Sequence, residues 1–137
     1  MSYHSEFLPH ISEIKLKVTA STKEELFQGA LAGMASILGP KISPSLPRIE
    51  EMIELQSLNL NTLLVDFLSE ILTKVEISGI IFTGAQINNL TNTSLQAKLI
   101  GFKTGVFQTQ IKAVTHHGLD ITQDKNGIYQ VIILFDI

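Results

Sequence analysis

Between Leu60 and Val75 the chain reads LNTLLVDFLSEILTKV, with Leu60, Leu63, Leu64, Phe67, Leu68, Ile71 and Leu72 recurring at spacings of three and four. Asn61, Thr62, Asp66, Ser69, Glu70 and Lys74 fill the other positions, which draws one apolar stripe along one helix. Asn59 is suited to accept the unpaired N–H groups of the first turn, and Gly79 is placed to end the run. Burying five or six such side chains, at roughly 1.5–3 kcal/mol each, makes this helix the spine of a core. The rest of the chain has to cover it.

Strict alternation from Ser12 to Val18 predicts a half-buried strand, with Ile14, Leu16 and Val18 inward and Glu13, Lys15 and Lys17 outward. Thr22 and Glu25 then form a capping box, in which each side chain can meet a backbone donor of the other residue. Leu26, Phe27, Ala30, Leu31, Met34, Ala35 and Leu38 follow with helical period until Gly39-Pro40. The proline-rich stretch 41–47 predicts a loop. Arg48 to Leu58 fits neither period cleanly and is read as a strand, because the next helix needs a separate start.

After the spine helix, Gly79 to Ile87 and the alternating Leu95, Ala97 and Leu99 predict two strands around the polar turn 88–93. Alternation from Gln110 to Gln123 predicts one further strand, with Ile111, Ala113, Thr115, His117, Leu119 and Ile121 on one face. Asn126-Gly127 suits a type I′ turn before a final strand, Ile128 to Ile137. The predicted order is β-α-β-α-β-β-β-β, an α+β fold with two helices packed on β-sheet in a single domain over residues 1–137.

Several chemistries are excluded. No cysteine occurs, which removes disulfides, thiolate metal sites and cysteine nucleophiles. Ten basic residues are scattered against thirteen acidic ones, so the chain has no footprint for gripping a nucleic-acid backbone directly. There is no phosphate loop, GxGxxG, GxSxG, HExxH or EF-hand loop. No N-terminal signal pattern or membrane-length apolar run is evident, so the expectation is a cytoplasmic protein without membrane contact, and with no long apolar edge obvious the default is a monomer.

What remains is the chain's acidic end. Asp136 precedes the α-carboxylate of Ile137, and oxygen ligands of this kind suit a hard divalent cation. A two-residue hairpin loop would set Asp136 opposite His117, and a four-residue loop would set it opposite Thr115. His116 and His117 point to opposite faces of a strand and cannot chelate one metal together; one is expected exposed and one hydrogen-bonded in the core. Asp66 and Glu70, at i and i+4 on the spine helix, can hold a cation or a basic partner, or form an ordinary solvated face. These readings by themselves reach only an α+β domain with a possible metal-binding end.

Four blocks in order resemble the archease family: His10-Ile11-Ser12-Glu13-Ile14, Leu63 through Leu72, Lys112-Ala113-Val114-Thr115-His116-His117, and Phe135-Asp136-Ile137. The likeness covers nearly the whole chain. It implies a strand-helix-strand-strand module with a second such unit inserted. It further implies a non-catalytic activator that docks on an RNA-splicing ligase working through a histidine–GMP intermediate, promoting its guanylylation and turnover in tRNA splicing or RNA repair.

By position, the resemblance implies a calcium- or magnesium-like site at Glu13, Asp136 and Ile137, with Lys112, Thr115, His117, Asp66 and Glu70 as partner-facing or supporting residues. Here Ile11 and Ser12 replace the usual Thr-Ala, and Glu13 replaces an aspartate, which adds one methylene to its reach. His116 stands where an aromatic residue is common. The alternative reading is a small-molecule-binding or interaction module of the same fold with no ligase role.

Overall fold

The structure is a computed structural model that describes residues 2–6, 12–43 and 45–137. His10 and Ile11 of the first archease-like block lie outside the described residues. The elements in order are β1 (Glu13–Ala20), α1 (Lys23–Leu38), β2 (Arg48–Gln56), α2 (Leu60–Ser78), β3 (Ile80–Leu90), β4 (Ser94–Lys103), β5 (Ala113–Thr115), β6 (Thr122–Gln123) and β7 (Tyr129–Asp136). They form two antiparallel sheets. One runs β1-β7-β5, with β6 also paired to β7, and the other runs β2-β4-β3.

Each helix touches both sheets. α1 packs on β1 and β7 of one and on β3 of the other, and α2 packs on β2, β3 and β4 of one and on β5 of the other. Burial on α2 is therefore wider than a single stripe: Val65 and Val75 join Leu63, Leu64, Phe67, Leu68, Ile71 and Leu72. Phe27 of α1 meets Phe67 of α2 with ring centroids 5.5 Å apart and tilted, a favourable aromatic arrangement. No polar or charged residue is buried among the described residues.

The caps follow from the local sequence. Asn59 accepts the Thr62 N–H at 2.8 Å, and Gly79 closes α2 in the left-handed conformation. Thr22 accepts the Glu25 N–H at 3.1 Å, but the Glu25 carboxylate takes the Ser21 hydroxyl at 3.3 Å instead of completing the box. β2 lacks a clean period because Glu51 sits among its inward positions, opposite Leu99 of β4. Lys74 of α2 pairs with Glu51 and is only 22% exposed, so the charge is met within the helix–sheet seam. Lys74→Ala is expected to cost about 1–2 kcal/mol in a denaturant titration, between the values of exposed and buried pairs.

The predicted strand 110–123 is broken in the structure, and the reason lies in the core. β6 pairs with β7 through Thr122↔Gln130 and Gln123↔Tyr129. Continued without interruption, that register would press His117 against Phe135, inside an apolar core. A turn at 116–121, with Gly118 at φ 70° and Leu119 N–H bonded to His116 O, shifts the pairing so that Val114 sits opposite Phe135. The faces at β5 are thereby inverted from the prediction, with Val114 buried and Ala113 and Thr115 outward.

The final hairpin also differs from the type I′ prediction. Gly127 has φ 82° but no described non-glycine residue has positive φ, so Asn126 does not adopt the type I′ geometry. The loop closes through Asp124 N–H to Ile128 O, and the Asp124 carboxylate accepts from the N–H groups of Asn126 and Ile128.

Candidate functional site

β7 is the central strand of its sheet, and its end carries the acidic site. Val131, Ile133 and Phe135 are buried, so strand alternation sends Ile132, Leu134 and Asp136 to the outer face. On one side β1 places Glu13 directly opposite Asp136. On the other, β5 places Ala113 there, which corrects the expected facing of Asp136 to His117 or Thr115. Directly opposed residues of antiparallel strands have Cβ atoms about 4.5–5.5 Å apart, so the two carboxylates share one patch, with the Ala113 methyl group on the other side of Asp136.

The backbone holds this end from both sides. Lys112 N–H donates to Asp136 O at 2.7 Å, and Ile137 N–H donates to Ser12 O at 3.0 Å. Glu13 is exposed and Asp136 is half-buried. Neither carboxylate takes part in an ion pair among the described residues, although Lys15 lies on the same outer face.

Like charges directly opposed destabilise a strand pair by up to about 1 kcal/mol, a cost that a bound cation would offset. The donors are all oxygen, which suits calcium or magnesium rather than zinc. Among the described residues no group of three or more His, Cys, Asp or Glu side chains could hold a metal ion. A cation here would take two side-chain carboxylates, with the Ile137 carboxyl group at the same strand end and water to complete a hard-ion shell. The donor set fits on those terms.

The other candidates separate. Thr115 is on the outer face near Asp136, and its hydroxyl accepts the His117 N–H at 3.2 Å. His116 and His117 are both exposed in the turn, so neither is the buried, hydrogen-bonded histidine that was expected. Lys112 is exposed and supports the site through its backbone.

Asp66 and Glu70 do not reach the acidic end. Asp66 accepts the Ser57 hydroxyl at 2.5 Å, and Glu70 lies 3.9 Å from Lys74, so both serve the seam between α2 and the β2 edge. Sequence reasoning missed Ser12 and the backbone of Lys112, which hold the strand end through main-chain atoms and carry no residue-type signal.

Comparison with known proteins settles the lineage. The sequence pattern of the Archease protein family matches residues 5–137. The chain belongs to the archease family. Protein archease of Methanosarcina barkeri is 34% identical, covering 96% of this chain and 94% of that one. Protein archease of Methanosarcina mazei is 30% identical over the same shares.

Among solved structures, an archease and possible chaperone from Thermotoga maritima superposes with a TM-score of 0.68 at 19% identity, covering 100% of both chains. The solution structure of a Methanobacterium thermoautotrophicum protein gives the same TM-score, 0.68, at 20% identity over 96% of this chain and 97% of that one. These two show the archease fold: two helices with antiparallel sheets. No helix among the described residues is long and apolar enough to cross a membrane.

Proposed function

We propose that this protein is a non-catalytic activator of an RNA-splicing ligase that works through a histidine–GMP intermediate, and that Glu13, Asp136 and the Ile137 carboxylate hold a divalent cation at its working end. Membership of the archease family supports the activator role. The observation that carries the site is the β1–β7 register, which opposes Glu13 and Asp136.

In this reading the chain's own residues bind and orient. Phe135 anchors β7 in the core, Lys112 and Ser12 fix the strand end, and Glu13 with Asp136 presents paired carboxylates on an uncovered sheet face. A bound divalent cation would supply positive charge that nucleotide phosphates and ligase carboxylates can share. The extra methylene of Glu13 suits a flexible calcium-type shell better than rigid octahedral magnesium geometry. Thr115, Lys112 and His117 border the docking face, whereas Asp66 and Glu70 support it only by keeping α2 against β2. The scattered lysines accord with acting beside the RNA rather than on it, and in this reading the protein is a cytoplasmic monomer with the ligase as its partner.

The test is multiple-turnover joining by the cognate ligase with GTP and divalent cation. Added protein is expected to convert a stalling ligase into one that turns over repeatedly, and Glu13→Ala to lose most of that stimulation. Unchanged turnover with wild-type protein, by an otherwise active ligase, contradicts the activator reading and favours a binding module without a ligase role.

A further inference from the structure

β1 is an edge strand, with β7 as its strand neighbour in the sheet. Its outward residues Glu13, Lys15, Lys17 and Thr19 are all exposed, while Val18 points into the core. Alternate residues of a strand share a face at about 7 Å spacing, so Lys15 stands one row from Glu13 and Lys17 two rows away. Across the sheet Lys15 lies opposite Leu134, which makes Asp136 its diagonal neighbour, a separation that long side chains can span. Lys15 takes part in no ion pair among the described residues, and its charged neighbours on this face are Glu13, Asp136 and Lys17.

Two features make the acidic end a weak holder of cations. Its side-chain donors are two carboxylates, one of them exposed on an edge strand, and no third His, Cys, Asp or Glu side chain joins them among the described residues. Calcium affinity follows the number of ligand charges and the rigidity of the site. The second feature is the Lys15 ammonium one row away, which repels an incoming divalent ion.

We infer that Lys15 holds the affinity of the Glu13–Asp136 site down, so that its cation exchanges readily instead of being retained. The inference rests on the cation reading proposed above. With the row spacing of about 7 Å as the charge separation, the repulsion weakens calcium binding about fivefold in 10 mM salt and about twofold in 150 mM. Lys17, about 13 Å away, contributes less than about twofold in either.

Calcium titrations of the intact protein, followed by the amide chemical shifts of Glu13 and Asp136 in 10 and 150 mM potassium chloride, test it. Wild type is expected to saturate with a dissociation constant on the order of 10⁻⁴–10⁻³ M, the range of weak calcium sites. Lys15 is exposed, so Lys15→Met should fold normally and bind calcium about fivefold tighter at the lower salt and about twofold tighter at the higher. Lys15→Arg, which keeps the charge, should match wild type, and Lys17→Met should differ from it by less than about twofold. Saturation of wild type at micromolar calcium, or equal affinity of wild type and Lys15→Met, overturns the inference and leaves the cation reading standing. Absence of saturable shifts in every variant overturns both.

Discussion

Calcium at a hundredfold excess over its dissociation constant is expected to stabilise the wild-type protein by about 2.7 kcal/mol, roughly 8–10 °C in melting temperature for a chain of this size. Asp136→Asn should lose that increment. Without cation the same variant should be more stable than wild type by up to about 1 kcal/mol, because it removes one of two opposed carboxylates. The opposite signs matter. A variant that merely loosened β7 would be less stable in both conditions, whereas removal of a ligand from a repulsive pair helps the cation-free protein and harms the loaded one. Thermal melts of both proteins with calcium and with chelator check all four values.

Gly101→Ala is expected to cost about 3 kcal/mol, at the upper end for overpacking, and to leave the protein poorly folded on warming. Gly101 lies on β4 between Ile49 of β2 and Phe82 of β3, and β3 is irregular between Phe82 and Gly84. A Cβ at Gly101 would overlap the Ile81 carbonyl oxygen and come within 2.9 Å of the Phe82 Cα. The obstructing atoms are backbone, so no rotamer change relieves them, and β3 would have to leave the sheet that covers α2. Gly84 provides the control: a Cβ there meets nothing within 4 Å, and Gly84→Ala should be neutral or stabilising by about 0.4–1 kcal/mol. Urea titrations of the two variants separate a clash from a general dislike of alanine in these strands.

Much of the fold was legible because local rules decided it. Asn59 and Gly79 bounded α2, Thr22 and Gly39 bounded α1, and the alternation from Glu13 to Val18 marked β1. The misreadings arose where distant contacts outvoted the local pattern. At β5 the alternation of Gln110 to Gln123 favoured the face of Ile111, Ala113, Leu119 and Ile121, and only the pairing with Phe135 chose Val114 over His117. β2 is a strand as read, although the inward Glu51 obscured its period and its counter-charge Lys74 lies on another element.

The acidic pair was legible as a resemblance, since Glu13 and Asp136 stand at the family's positions, but their opposition depends on the β1–β7 register rather than on the last hairpin. The hairpin that sets the facing of Asp136 turns on Gly127 alone and is preceded in the chain by a register shift at 116–121, so counting from it points to the wrong β5 neighbour. The main-chain supports from Ser12 and Lys112 left no trace in residue type.

The most direct measurement is formation of the ligase's histidine–GMP adduct with GTP and divalent cation, comparing wild-type protein with an Asp136→Ala variant whose thermal unfolding in chelator matches or exceeds wild type. The account predicts strong stimulation by wild type and a return to the ligase-alone level with the variant. Equal stimulation by both proteins would contradict the assignment of the Glu13–Asp136 pair as the working end.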